Sequence, residues 1–96
     1  MVAITGTQIL VDGTPSGNTR AIVEANRLQR VDELFNVLKN KRELWKQINP
    51  GKEFPGVAVL QVDRRVPALV VKSVFQTAAF AGYPSISFMV GRLGKN

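Results

Sequence analysis

The residues able to do chemistry in this chain form a short inventory: seven Asp and Glu, thirteen Lys and Arg, and neither histidine nor cysteine. Without imidazole or thiol, Ser-His triads, imidazole acid–base catalysis, zinc-hydrolase sites, thiolate metal sites and disulfides are all excluded. Acid–base work by paired carboxylates would need two of them on one face. Asp32 and Glu33 are adjacent, so a helix turns them to different faces. Asp63 is followed by Arg64 and Arg65, whose charge holds it ionised and makes it a poor general base at neutral pH. Its expected work is structural, as a turn former or as an acceptor for N–H groups at a helix start. No phosphate loop, dinucleotide fingerprint or metal-ligand spacing occurs. The expectation is a protein that is not an enzyme, with no catalytic residue, metal or cofactor.

What remains is charge. A formal net charge of +6 and a pI near 10.4 favour an acidic partner, whether nucleic acid, anionic lipid, acidic polymer or acidic protein face. Lys39, Lys41, Arg42 and Lys46 fall in one predicted helix, with Lys52 just beyond it; these four are the candidate contacts to an anionic polymer. A solvated helix face is the plainer account of the same residues.

These side chains must be carried by elements, and the stretch 54–90 organises them. Val57, Val59, Leu60 and Val62 make a short β-branched run after Pro55-Gly56, a strand signal. Asp63-Arg64-Arg65 breaks it, and Pro67 suits a first helical residue. Apolar positions then recur at helical spacing over 67–81 until Gly82, placed as a C′ glycine. A second strand follows over 86–90. This is a βαβ unit, with parallel strands and an expected right-handed crossover.

Upstream, residues 2–11 read as one strand with a bulge at Gly6, and Asp12-Gly13 as a turn. Residues 14–18 read as a mobile polar loop, and 19–25 as a weaker strand suited by its flanking arginines to a sheet edge. The clearest helix spans 30–48. Val31, Leu34, Phe35, Leu38 and Trp45 share a stripe, widened by Val37, Leu44 and Ile48, with Asp32 and Glu33 in the first turn and Lys46 in the last. Core packing is the expectation for Phe35 and Trp45. The tail 92–96 reads as polar and frayed.

The expected fold is α+β, a two-layer sandwich of a small mixed sheet with two helices on one face, in the order β-β-α-β-α-β. Residues 1–96 form a single domain: 1–29 a strand or hairpin region, 30–48 the first helix, and 57–90 the βαβ unit. The sheet's other face is then open or is a dimer interface. On a wheel of 67–81, Val70, Val71, Val74, Phe75, Ala78 and Ala81 form the core face. Leu69, Lys72, Ser73, Gln76 and Phe80 lie opposite. Leu69 and Phe80 are apolar where water is expected, so they form a candidate docking stripe, and Arg64 and Arg65 join them as candidate contacts to a partner or second copy.

No run of about 18 apolar residues and no signal peptide is visible in these residues. Taken literally that describes a cytosolic chain, although Met1 before a strand-like segment also suits an excised domain. A small basic RNA- or DNA-binding domain is the alternative reading. It is weakened by strands that offer only Phe88 for stacking and by the lack of a GxxG loop between helices.

Val59-Leu60-Gln61-Val62-Asp63-Arg64-Arg65-Val66-Pro67, then Thr77-Ala78-Ala79-Phe80-Ala81-Gly82-Tyr83, then Ile86-Ser87-Phe88-Met89-Val90, resembles the periplasmic domain of the ExbD/TolR biopolymer-transport family. Leu10-Val11-Asp12-Gly13 and the Pro50-Gly51…Phe54-Pro55-Gly56 connection fit the same pattern, so the resemblance covers nearly the whole chain. Val62 stands where the family often has alanine, and the family's membrane helix with its proton-conducting acidic residue is not in this sequence. The resemblance implies the soluble periplasmic part of an inner-membrane component driven by the proton motive force. It further implies a homodimer anchored to the inner membrane by an upstream helix. Its partners would be an ExbB/TolQ-like channel subunit and either a TonB/TolA-like protein or the cell wall. No nucleic acid would be involved.

Overall fold

The computed structural model describes residues 1–91, and the tail 92–96 lies outside the described residues. The opening hydrophobic stretch is two strands, β1 (Val2–Ile4) and β2 (Gln8–Val11), where one bulged strand was expected. Thr5 causes the break. Its Oγ1 accepts the Gln8 N–H at 3.0 Å while its own N–H donates to the Gln8 carbonyl at 2.9 Å, closing a tight turn through Gly6. Asp12 and Gly13 both take positive φ, 50° and 84°, the two-residue turn whose twist suits a hairpin.

That turn leads into β3 (Thr14–Asn18), so the segment expected to be a mobile loop is a strand. Leu10 pairs with Pro15 and Ile9 with Gly17, leaving Ser16 as an extra, bulged residue that is buried with its Oγ donating to the Thr14 carbonyl. Proline and a bulge are tolerated here because β3 is an edge strand.

Residues 19–25 hold the second correction. They form a short helix, α1 (Arg20–Ala25), and not an edge strand. Asn18 Oδ1 accepts the Arg20 N–H, Thr19 anchors its hydroxyl on the Gly6 carbonyl at 3.0 Å, and Asn26 ends the helix in the left-handed region. Only Ile22 of the helix is buried. A run with one inward residue has no period, so Ile22-Val23 reads equally well as strand or helix.

The long helix is α2 (Asp32–Ile48), the second strand run is β4 (Val57–Asp63), the βαβ helix is α3 (Ala68–Phe80), and the chain returns through β5 (Ser85–Gly91). The sheet order is β3-β2-β1-β4-β5, with β1, β4 and β5 mutually parallel and the β1–β2 and β2–β3 pairs antiparallel. The fold is therefore α+β, with one mixed sheet, but the described residues form five strands and three helices in the order β-β-β-α-α-β-α-β where four strands and two helices were expected.

One core joins the layers. Val2, Ile4, Ile9, Val11, Ala58, Leu60 and Val62 share a sheet face and meet Ile22, Leu34, Leu38, Val70, Val74 and Ala78 from the helices. Phe35 packs partly against this core, as expected. At the end of α3, the N–H groups of Gly82 and Tyr83 return to the carbonyls of Ala79 and Ala78, and Gly82 has φ 98°, so the C′ glycine stops the helix where the sequence places it.

The buried arc of α3 is rotated from the predicted wheel. Ser73 and Thr77 are fully buried, while Phe75, placed on the core face, is exposed. The two hydroxyls are inside because the 26–31 connector passes over them. Ser73 Oγ accepts the Gln29 N–H at 3.2 Å, and Thr77 Oγ1 accepts the Val31 N–H at 2.9 Å. Thr77 Oγ1 also donates to the Ser73 carbonyl at 2.7 Å. Among the described residues no helix is long and apolar enough to cross a membrane.

Candidate interaction surfaces

At the C-terminal end of β4 the chain must turn sharply into α3, and Asp63 makes that turn. Its carboxylate, only 4% exposed as a residue, accepts the Arg65 N–H at 3.0 Å. It also takes a forked pair from the Arg65 guanidinium, Nε at 3.1 Å and Nη2 at 2.9 Å. The turn-forming role expected of Asp63 is what the geometry shows. Asp63 in turn raises Arg65 above the ordinary guanidinium value, through that hydrogen bond first and its charge second.

Arg64, the other candidate of this turn, is exposed, and its N–H donates to the Gly91 carbonyl, tying the turn to β5. With Lys72 it borders an apolar cleft of about 300 Å³ formed by Val62, Val66, Ala68, Val71 and Val90. The two remaining candidates part company. Leu69 packs partly against the core, while Phe80 stands 61% exposed.

A surface the sequence reading did not single out lies along β5. This strand is an edge, seven residues long, without a charged side chain. Phe88 and Val90 are 45% and 68% exposed, and the Phe88 ring stacks on Phe75 at 5.6 Å and 10°. The signal was present in the sequence as SISFMVG, an alternating strand with no gatekeeping charge. The opposite edge carries Pro15 and the bulge at Ser16, both of which blunt pairing. The open sheet face presents Ala3, Leu10, Val59, Gln61 and Met89 and no aromatic ring.

The four basic candidates of α2 separate as well. Lys41 reaches the β2–β3 turn, with its Nζ 3.0 Å from Asp12 Oδ2. That hydrogen bond, followed by one from the chain's amino group, holds the Asp12 carboxyl below its usual range despite partial burial. Lys39 is exposed elsewhere on the helix. Arg42 and Lys46 line a second cleft of about 310 Å³, together with Lys52, Glu53, Phe54, Gly82 and Pro84. Phe54 sits edge-on between Trp45 (5.5 Å) and Tyr83 (5.2 Å). The Tyr83 hydroxyl donates to the Leu38 carbonyl at 3.0 Å, and burial pushes that phenol up.

A third concavity, about 470 Å³, lies where Gly6, Thr7, Asn18 and Thr19 face Arg20, Val23 and Glu24. Among the described residues no cluster of three or more metal-ligating side chains occurs. No protein-family model matches the chain, and no curated protein or solved structure matches it either.

Proposed function

We propose that this chain is a binding and assembly module of the ExbD/TolR kind, the periplasmic part of a proton-motive-force-coupled inner-membrane transport component. It acts by holding neighbours: a second copy of itself, and a partner protein or the wall polymer. Motion of an upstream membrane helix would be passed on through these grips, and no bond is made or broken in the domain.

The observation that carries this reading is the α3–β5 edge. A sheet edge that is long, uncharged and flanked by exposed Phe75, Phe88 and Val90 is a pairing surface by its chemistry. A second copy meets no like charge along β5, so an antiparallel pair about Phe88 would bring Ile86 opposite Val90 and Ser87 opposite Met89. The aromatic-free open face of the sheet argues against single-stranded nucleic acid, which is read by stacking.

The test is sedimentation of the purified chain across a concentration series, alongside co-sedimentation with purified peptidoglycan and with RNA. Concentration-dependent pairing and capture by the wall polymer are expected. A chain that stays monomeric, ignores the wall and binds RNA with a steep salt dependence would instead be the cytosolic nucleic-acid module. Reading the gene upstream is a second check, because the proposal requires about 20 apolar residues ahead of this segment.

A further inference from the structure

We propose that the cleft between the last turns of α2 and the α3–β5 corner is a binding site for a multiply charged phosphate or carboxylate anion. Arg42 is its planar donor, and Lys46 and Lys52 are its flanking charges. The site rests on the assembly reading only in giving the basic helix an anionic ligand, and it stands or falls separately from pairing at β5.

Arg42 is held before any ligand arrives. Its side chain lies across Gly82, where an added Cβ would sit 2.7 Å from Nε and 2.9 Å from Cδ. The guanidinium carbon stands 5.9 Å over the Phe54 ring, and that ring is fixed between Trp45 and Tyr83. A pre-oriented guanidinium loses less entropy on binding than a mobile lysine does and can offer two parallel N–H groups to one oxyanion.

Its donors are largely unspent. Among the described residues its one carboxylate neighbour is the adjacent Glu43, at 3.7 Å from Nη1. Lys46 follows Arg42 by one turn, and a turn closed by the Lys52 N–H on the Asn49 carbonyl brings Lys52 to the same cleft. Neither lysine has an ion pair among the described residues. Among the described residues three cations thus face one lining carboxylate, Glu53, above an apolar floor of Phe54 and Pro84.

Offsetting the negative end of α2 would account for Lys46. It does not account for an arginine laid across a glycine of another element, or for a lysine beyond the helix.

Trp45, the single tryptophan, touches the ring that floors the cleft, so its fluorescence reports occupancy. The experiment titrates the chain with pyrophosphate and, separately, with citrate, each against sodium chloride at matched ionic strength. A saturable change is expected, and the tighter of the two ligands identifies phosphate or carboxylate chemistry. Arg42→Gln should weaken binding about tenfold and Arg42→Lys by nearly as much, with Lys52→Gln weakening it about threefold. Circular dichroism checks that each variant is folded. Phe88→Asp should leave the titration unchanged, which separates this site from the pairing edge. A response that chloride reproduces, a folded Arg42→Gln that binds as before, or loss of binding in Phe88→Asp would each overturn the proposal.

Discussion

Thr77 and Ser73 put two hydroxyls inside an otherwise apolar arc of α3, and their positions follow from backbone groups that would otherwise be stranded. The connector from α1 to α2 belongs to no helix or strand, so the N–H groups of Gln29 and Val31 have no helix or sheet partner, and the hydroxyls accept both. Thr77→Val keeps the shape and removes the acceptor, so the half-buried Val31 N–H is left without its partner. A loss of about 1–3 kcal/mol is expected, read as a lower urea midpoint, with Thr77→Ser restoring most of it. An unchanged midpoint for Thr77→Val would mean water satisfies that N–H. Asp12 offers a different check at the same scale. Its carboxyl is held below 3.8 in the folded chain, mainly by Lys41, so the unfolded chain binds its proton first as pH falls. The stabilisation is complete above the unfolded value and is lost as pH drops through the folded one. Asp12→Asn should therefore flatten the acid limb of a stability–pH curve and leave its neutral-to-alkaline shape alone, by a small amount because the pair is half exposed.

At the scale of elements, β5 is the part of the fold whose sequence and position disagree. Its alternation, Ile86, Phe88, Val90, is that of a strand covered on one side, yet α3 covers this edge only in part, through the Phe75 ring on Phe88, and leaves Phe88 and Val90 45% and 68% exposed. Phe88→Asp should leave the fold intact, because the ring is nearly half exposed, and should weaken self-association at least tenfold by sedimentation. Unfolding instead would make the Phe75–Phe88 stack part of the core. The sequence made α2, β4, α3 and β5 legible because each repeats its period several times. Below two periods that signal fails. Ile22 alone inside α1 cannot declare a helix, and the one buried residue of β3 is Ser16, whose polar side chain marks no inward face. The wheel of α3 erred for a related reason. Hydrophobicity weights Phe75 above Ser73, but their burial is decided by the connector's N–H groups, which no local pattern contains. Lys52 was visible in the sequence, while its convergence with Arg42 over Gly82 depends on the Asn49–Lys52 turn and the end of α3.

Across the whole molecule the two proposed grips differ in their physics, and salt separates them. Each copy carries +6, so two copies brought edge to edge repel through the solvent, while the β5 strands that meet are uncharged and gain from burying Phe88 and Val90. Screening should relieve the repulsion and leave the apolar gain intact. The cleft at Arg42 works the other way, because its attraction for an anion is the term that screening removes. The Debye length falls from about 10 Å at 0.1 M to about 3 Å at 1 M, a range that spans the separations involved. Raising sodium chloride from about 0.05 M to about 0.5 M should therefore tighten self-association severalfold while weakening the pyrophosphate titration of Trp45 by about tenfold or more. Sedimentation and fluorescence on one preparation measure both. If both affinities fell together, pairing would be a charge-driven contact and the β5 edge would lose its claim to it. If both rose, the basic cleft would be holding its ligand through the Phe54 and Pro84 floor, and Arg42 would be no more than a wall of it.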